Sequence, residues 1–499
     1  MNDRPNRAIA HAADMPEIPH LASAEAVAQR HLPRSLAELE ALLKRDLDLV
    51  RYPAKSWVLP RMAPNGEQAL DVLIVGGGQA GFAAAFGLML QRVGNVLVVD
   101  ENPEGQEGPW ATYARMETLR TKKDVGGLEL GFPNLSVRAW FEAQYGQAWP
   151  MLYKLPTTMW HQYLQWYRRM LSLPVRNATR LVRFGPDENG LLRAELVSDG
   201  IAATVWARTI VLASGIEGSG TRHVPAFVSD GVPKSRWAHS HEAIDFAALS
   251  GKVVAVLGGS ASAFDNAVAA AEHGAITHVF HRAQQLRPAN AMAWAEFSGY
   301  LAHYPDLPPL ERWRFTQKMR RFKTGPPQRT LQRALELANL TLHTGCIWNN
   351  AAVDGERVRI SATDGDFIAD YLILGTGYVT DVALVEELAE HLPLMALWRD
   401  VFTPPPGEED AGLAKSPYLG TNFETLEKVP GTAPWLNAVF NFSRGAGLSM
   451  GPMPAGLSGI KFGVPRLVSG ITRRLFVEDA SAYFEGMTVW QANDKMVEP

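Results

Sequence analysis

Leu70-Asp-Val-Leu-Ile-Val-Gly-Gly-Gly-Gln-Ala-Gly81, followed by the small-residue run Phe82 to Leu90, decides the fold of this chain. Leu70 to Val75 is a short apolar run of β type, Gly76-Gly77-Gly78 turns sharply, and Phe82 to Leu90 reads as a buried helix. The turn is a G-x-G-x-x-G pattern with Gly76, Gly78 and Gly81 at its glycine positions. Gly76 permits the tight turn, Gly78 lets a pyrophosphate approach the backbone, and Gly81 lets helix and strand pack closely. Gln79 and Ala80 belong to the same set, because the helix start offers free N–H groups and partial positive charge to phosphates. A second strand, Asn95 to Val99, ends in Asp100-Glu101. Asp100 lies about twenty residues past the turn, where a carboxylate accepts hydrogen bonds from a ribose hydroxyl. Glycine turns also arise for packing alone. Here strand, turn, helix, strand and acid follow in order, which points to dinucleotide binding.

A second unit of the same kind begins near Gly251. Lys252-Val-Val-Ala-Val-Leu-Gly-Gly-Ser-Ala-Ser-Ala-Phe-Asp265 leads into a helix to about His273, then a strand from Ile276 to Phe280 and His281-Arg282. Its fingerprint has drifted: Gly258 holds the first position, Ser260 the second and Ala263 the third. Ser260 adds a Cβ where pyrophosphate approaches, but its hydroxyl, like that of Ser262, can donate to a phosphate oxygen. Where an acid favours NAD, this unit carries Arg282, whose guanidinium suits a 2′-phosphate. The alternative for Arg282 is a solvent-facing residue at a strand end.

Between and beyond the two units the pattern suggests one domain inserted in another. Gly190 to Ser214 alternates and then turns apolar, as a β-meander returning to the parent sheet. Asp370-Tyr-Leu-Ile-Leu-Gly-Thr-Gly-Tyr378 is a strand ending in a small-residue turn at Gly377, and Asn437 to Asn441 feeds a glycine turn and a helix from Gly456 to Leu475. The expected class is α/β with two Rossmann-like dinucleotide-binding domains. The expected parts are an N-terminal, partly helical extension (1–69), the first domain (70–230), an inserted second domain (231–365), and the remainder of the first with a C-terminal tail (366–499). Residues 1 to about 33 read as poorly ordered or draped on the surface, and Ser35-Leu-Ala-Glu38 as a capping box opening a helix to about Val50. Thr157 to Leu171 is an amphipathic helix with Trp160, Tyr163, Leu164 and Tyr167 on one face, a stripe that reads as core rather than as a stacking platform. Pro288 to Thr330 is rich in Arg and Lys, a solvated face or an attractor of anions.

With 499 residues the chain needs two or three cores. Its formal net charge of −4 argues against nucleic acid as the main partner. A single cysteine, Cys346, excludes an internal disulfide or a C-x-x-C redox pair. No 18-residue apolar run occurs and no leader pattern opens the sequence, so no membrane partner is expected and the cytoplasm is the expected location.

Two glycine turns roughly 180 residues apart, followed by Gly375-Thr-Gly-Tyr378, resemble the two-dinucleotide flavoproteins. More narrowly, the chain is similar to the single-component flavin monooxygenases that include N-hydroxylases and Baeyer–Villiger enzymes. The resemblance spans about 70 to 478 and rests on Gly76 to Gly81, His239-Ser240 before Gly251-Lys252, Ser262-x-x-Asp265, and Gly375 to Tyr378. The linker signature Phe-x-Gly-x-x-x-His is degraded: His239 keeps its place, while Pro233 and Ser235 replace Phe and Gly. Tyr-Pro-Ala-Lys-Ser-Trp57, the block Gly108 to Arg120 and Gly-Pro-Pro-Gln-Arg329 resemble the bacterial FAD-dependent urate hydroxylases. That resemblance implies FAD on the first unit, with Glu101 and Trp110 beside it, and NAD(P)H on the second. It further implies O2 as co-substrate and a small nitrogen-rich substrate, urate, hydroxylated to 5-hydroxyisourate. The cofactor carries such chemistry, so no acid–base triad is required. A urate monoanion calls for an Arg or Lys near the flavin; Arg120, Lys122 and Lys123 come first, Arg444 second, with Asn441 as a flavin or substrate contact. His239 orients the interdomain linker or is a satisfied structural histidine. The alternatives are an amine- or sulfide-oxidising monooxygenase, a flavin reductase serving a quinone or protein acceptor, and a nucleotide-binding regulator without turnover.

Overall fold

The computed structural model describes residues 33–286, 291–322, 325–452 and 454–489. The N-terminal stretch expected to be surface-draped lies outside the described residues, as do Pro288 and Lys323 of the basic run.

Helix α1 (Leu36–Leu49) starts where the capping pattern places it, with the Ser35 side chain accepting from Glu38 N. The reciprocal bond goes one residue further back, from Arg34 N to Glu38 Oε2 at 2.7 Å. Leu39, Leu43 and Leu47 bury one stripe of this helix.

The first sheet is built on β1 (Leu70–Val75), an apolar strand with parallel neighbours on both sides, β2 (Val96–Val99) and β6 (Ile201–Leu212). The full order is β3 (Val175–Arg176), β2, β1, β6, β5 (Leu192–Ser198), β4 (Thr179–Pro186). β4 to β6 form the antiparallel meander. It begins at Thr179 rather than Gly190, because a register shift between Leu181 and Arg183 breaks the alternation that would reveal β4. β17 (Val439–Asn441) lies parallel on β6, so the C-terminal part rejoins this sheet.

The second sheet is entirely parallel: β11 (Leu340–Thr344), β10 (Ile276–His281), β9 (Val253–Leu257), β15 (Tyr371–Leu374), β8 (Trp237–His239). This corrects the boundary at 366, since β15 belongs to the inserted unit. Asp370 fastens it there: its carboxylate accepts from Val253 N at 2.7 Å and its N–H donates to Val253 O at 2.8 Å. An apolar tetrapeptide carries no mark of which parallel sheet it enters. A three-stranded antiparallel sheet, β12 (Trp348–Asp354), β13 (Arg357–Ala362) and β14 (Gly365–Ala369), completes this lobe. The chain crosses between lobes on a ribbon of β7 (Gly220–Arg222) outbound and β16 (Tyr378–Thr380) inbound, paired antiparallel.

Helix α2 (Gln79–Leu90) is buried on nearly all sides. It packs against helix α7 (Ile460–Glu478) so closely that a Cβ at Gly87 would meet Val464 at 2.7 Å. The aromatic face of α3 (Thr157–Met170) is core, with Tyr163 and Tyr167 hydroxyls donating to the carbonyls of Leu135 and Leu128. The basic helix α5 (Pro309–Arg321) is tied to a distant acidic loop: Arg314 pairs with Glu408 and Arg320 with Asp410, while Arg312 is buried on the Ser449 carbonyl. No helix among the described residues is long and apolar enough to cross a membrane.

Candidate functional site

The two glycine turns are the same backbone device used twice. Gly76 N donates to Val99 O and Gly258 N to Phe280 O, each tying the end of the first strand of its unit to the second. Both glycines have positive φ, +108° and +144°, and a Cβ would lie 2.5 Å from Ala213 O and 2.4 Å from Gly375 O respectively. Gly78 and Ser260 occupy matching N-cap positions, ahead of α2 and of α4 (Ala261–Glu272). The drift at the third position is compensated across the turn. A Cβ at Gly81 would lie 1.9 Å from Gly76 O, with Ala213 opposite; in the second unit Ala263 carries the methyl and Gly375, where a Cβ would meet it at 2.5 Å, gives the space.

Asp100 occupies the expected place but is committed to the protein. Oδ2 accepts from Gly77 N at 2.7 Å, and Oδ1 accepts from the N–H and side-chain amide of Asn102. Burial pushes its pKa up, against the pull of those donors. It holds the turn, and the adjacent Glu101, which makes no hydrogen bond among the described residues, lines the cavity. In the second unit His281 stands where Asp100 stands in the first, its ring packed over Gly259. Arg282 next to it is exposed.

A cavity of about 1100 Å³ opens between the lobes. Of the residues singled out from the sequence, Gly76, Gly78, Gln79, Ala80, Asp100, Glu101, Trp110, Ser262 and Gly377 line it. Gly81 instead serves strand–helix packing, and Gly258, Ser260, Ala263 and Arg282 form the second turn outside the cavity wall. Asn441 is buried away from it, its Oδ1 taken by the N–H and hydroxyl of Ser443. Arg444 donates to Pro452 O, Lys122 is exposed, and Lys123 is bound to the carbonyls of Trp149, Pro150 and Leu152. None of these four lines the cavity; Arg120 does.

Other wall residues carried no local signal. Arg115 donates to the carbonyls of Ser240 and Glu242, joining the lobes. Arg222 pairs with Glu217 and Glu242 across the crossing ribbon. His241 lies against the rings of Tyr113 and Tyr378, with centroids at 4.5 and 4.9 Å. Apart from Arg222–Glu217, these contacts join residues far apart in sequence, so only the fold reveals them.

His239 is fully buried, with Nε2 on Gly377 O at 3.1 Å and Nδ1 accepting from His241 N. That arrangement requires the neutral ring with its proton on Nε2. Burial lowers the pKa of both His239 and His241 from 6.5 to about 4. Between those values the unfolded chain binds protons that the folded chain refuses, so stability is full above pH 6.5 and falls as pH drops toward 4. Replacing His241 by Phe, which keeps the ring contacts, is expected to flatten that acid limb in thermal unfolding measured from pH 7 to 4. An unchanged limb would remove His241 from this account.

Comparison with known proteins fits this geometry. Residues 70–302 match the pyridine nucleotide-disulphide oxidoreductase family, a stretch covering both glycine turns. The chain is 42% identical over 454 residues to the FAD-dependent urate hydroxylase of Xanthomonas campestris pv. campestris, covering 90% of this chain and 95% of that protein. The chain belongs to the FAD-dependent urate hydroxylase family. Its fold is shared with the ornithine hydroxylase of Pseudomonas aeruginosa, at a TM-score of 0.65 and 15% identity over 82% of this chain and all of that one. It is shared too with the ornithine N-hydroxylase of Kutzneria sp. 744, solved with reduced FAD, NADP+ and L-ornithine, at 0.61 and 16% over 81% of this chain and 99% of that one.

For a member of this family the decisive test is whether the cavity suits a flavin dinucleotide. Gln79 Oε1, Trp110 Nε1, Ser214 Oγ and Asn266 Oδ1 are buried wall atoms with no hydrogen-bond partner among the described residues. Buried polar groups left unpaired are costly, and a polar ligand in the cavity supplies their partners. At Gly78 a Cβ would meet only Gly108 Cα at 3.7 Å, so the protein itself does not require glycine there. Volume, bare polar atoms and the empty approach at Gly78 all fit FAD.

Proposed function

We propose that this chain is an FAD-dependent monooxygenase that uses reduced nicotinamide nucleotide and O2 to hydroxylate urate to 5-hydroxyisourate. The observation that carries the reading is the 42% identity, over 90% of the chain, to a urate hydroxylase. Gly76, Gly78, Gln79 and Ala80 hold the FAD pyrophosphate at the start of α2, Glu101 takes a ribose hydroxyl, and Trp110 and Ser214 meet polar edges of the cofactor. FAD, when bound, supplies the redox chemistry: it takes up hydride from the nucleotide and activates O2. The protein positions the reactants and excludes water. Trp110 contributes to that exclusion through its contact with the buried Trp160, at 6.2 Å between ring centroids. We place the enzyme in the cytoplasm, where reduced nicotinamide nucleotides are available.

The test is oxygen and NAD(P)H consumption by purified protein with and without urate, with peroxide followed in parallel. Urate should accelerate both consumptions with little peroxide and with loss of urate absorbance. Slow peroxide formation unaffected by urate would leave the flavin enzyme and discard urate as its substrate.

The second unit bears on nucleotide choice. Arg282 is exposed at the end of β10 and makes no ion pair among the described residues, so its guanidinium is available to the 2′-phosphate of NADPH. Arg282→Ala is expected to raise KM for NADPH by about tenfold, the value of one charge-assisted hydrogen bond, and KM for NADH much less. Equal changes for the two nucleotides would remove the 2′-phosphate contact.

A further inference from the structure

The cavity wall carries six carboxylates (Asp100, Glu101, Glu217, Asp265, Glu386 and Glu387) against four arginines. An anionic substrate therefore needs a local cation with donors to spare. All four arginines have a partner. Arg115 is held by backbone carbonyls, Arg222 by Glu217 and Glu242, and Arg180 by Glu386 beside the Asp100 region. Arg120 and Arg180 each use a single nitrogen, but Arg180's partner Glu386 is 76% exposed, whereas Arg120 Nη2 donates at 3.1 Å to the buried Asp265, and the Arg120 side chain is itself 43% exposed.

What surrounds Arg120 aims it. Asp265 is nearly buried, and its Oδ1 accepts from the Thr330 hydroxyl at 3.2 Å, so the carboxylate is fixed from α6 (Gln328–Glu336) while it holds the guanidinium. The Arg120 carbonyl accepts from Lys154 Nζ at 2.7 Å, fixing the backbone. Next along α4, Asn266 is 1% exposed; its amide nitrogen donates to Ser262 O, and its Oδ1 has no donor. The wall thus presents a guanidinium with free N–H groups and, on the neighbouring residue of its carboxylate partner, a bare buried acceptor.

We propose that Arg120 and Asn266 recognise a planar anion that also carries N–H groups, with Asp265 and Thr330 positioning Arg120. On the reading above, on which this inference rests, that anion is the urate monoanion. Arg120 takes its anionic edge and Asn266 Oδ1 accepts an N–H. The phosphates of the nicotinamide nucleotide are the competing anion, and the test separates the two.

Binding of urate to the oxidised holoenzyme is followed by the flavin absorbance change, and that of NADPH, which reduces the flavin, by the concentration dependence of the anaerobic reduction rate; both are compared in wild type, Arg120→Gln and Arg120→Lys. Arg120→Gln is expected to raise the Kd for urate at least about tenfold, the value of a hydrogen bond to a charged group, and the Kd for NADPH less. Arg120→Lys is expected to recover most of the urate affinity. Asp265→Asn keeps an oxygen for Thr330 but weakens the hold on Arg120, and is expected to raise KM for urate while kcat changes little, a split that a general folding defect does not produce. An unchanged urate Kd in Arg120→Gln, or a larger loss for NADPH than for urate, overturns the proposal. If wild-type holoenzyme neither binds nor consumes urate, the urate reading itself has failed and this proposal falls with it, a result visible before any substitution is made.

Discussion

Gly81→Ala is expected to prevent the first lobe from folding, whereas Gly78→Ala is expected to fold normally and lose its flavin. The two glycines belong to one motif and are three residues apart, yet their surroundings differ. A methyl at Gly81 would sit 1.9 Å from the carbonyl oxygen of Gly76, inside a turn that is itself pinned to Val99 and Ala213. Backbone on both sides leaves no rotamer to change, so the overpacking falls at or above the upper end of its usual range, about 3 kcal/mol. A methyl at Gly78 has 3.7 Å to its nearest neighbour and points into space that the protein leaves for a ligand. Circular dichroism, thermal unfolding of the apoprotein and flavin absorbance after gel filtration separate the two effects. A yellow Gly78→Ala protein with undiminished turnover would refute the phosphate-turn assignment. A stable Gly81→Ala apoprotein would refute the packing argument.

Glu107→Ala is expected to be the most damaging single change in the loop facing that turn. Glu107 is buried and its side chain accepts four hydrogen bonds: Gly105 N at 3.0 Å, Gln165 at 3.1 Å, Asn177 at 2.8 Å, and Arg168. Removing one partner of a buried ion pair costs about 3–5 kcal/mol, and Arg168, 13% exposed with Glu104 at 3.6 Å, can recover a little of it. Gly108 follows immediately and faces Gly78, so loss of the hub loosens the cavity wall as well as the fold. Glu107→Ala is expected to lower the thermal midpoint and release flavin on dilution, while Glu107→Gln, which keeps the acceptor oxygen, does so less. Equal behaviour of Glu107→Ala and wild type would show that the hub is dispensable. Nothing in the sequence marks this residue, because three of its four partners come from α3 and from Asn177 before β4.

The elements that were readable are those whose cause is local. The strand–turn–helix–strand units at 70–100 and 252–281 follow from apolar runs and glycine positions, and each forms within a few residues of the expected bounds. The capped helix after Ser35 and the buried aromatic face of α3 were readable for the same reason, since period and cap are properties of adjacent residues. The start of the meander was hidden by a bulge, and the sheet to which Tyr371–Leu374 belongs was not encoded in those four residues. The ion pairs of the basic helix were equally invisible, because its acids lie about 90 residues away.

The site divides along the same line. Gly76, Gly78, Gln79 and Ala80 were legible because a phosphate-binding turn needs particular residues at fixed offsets. Asp100 lies at its offset and lines the cavity, while its bonds to Gly77 and Asn102, which hold the turn, are visible only in the fold. Lys122, Asn441 and Arg444 were chosen by residue type near a cofactor, and type says nothing about direction. Arg120, Asp265, Asn266 and Arg222 came together only when the ribbon of β7 and β16 brought the lobes face to face. Backbone geometry and burial period are short-range properties that a linear chain states openly. Which charges meet across a cleft depends on the relative placement of whole domains, and that is decided by packing summed over the molecule.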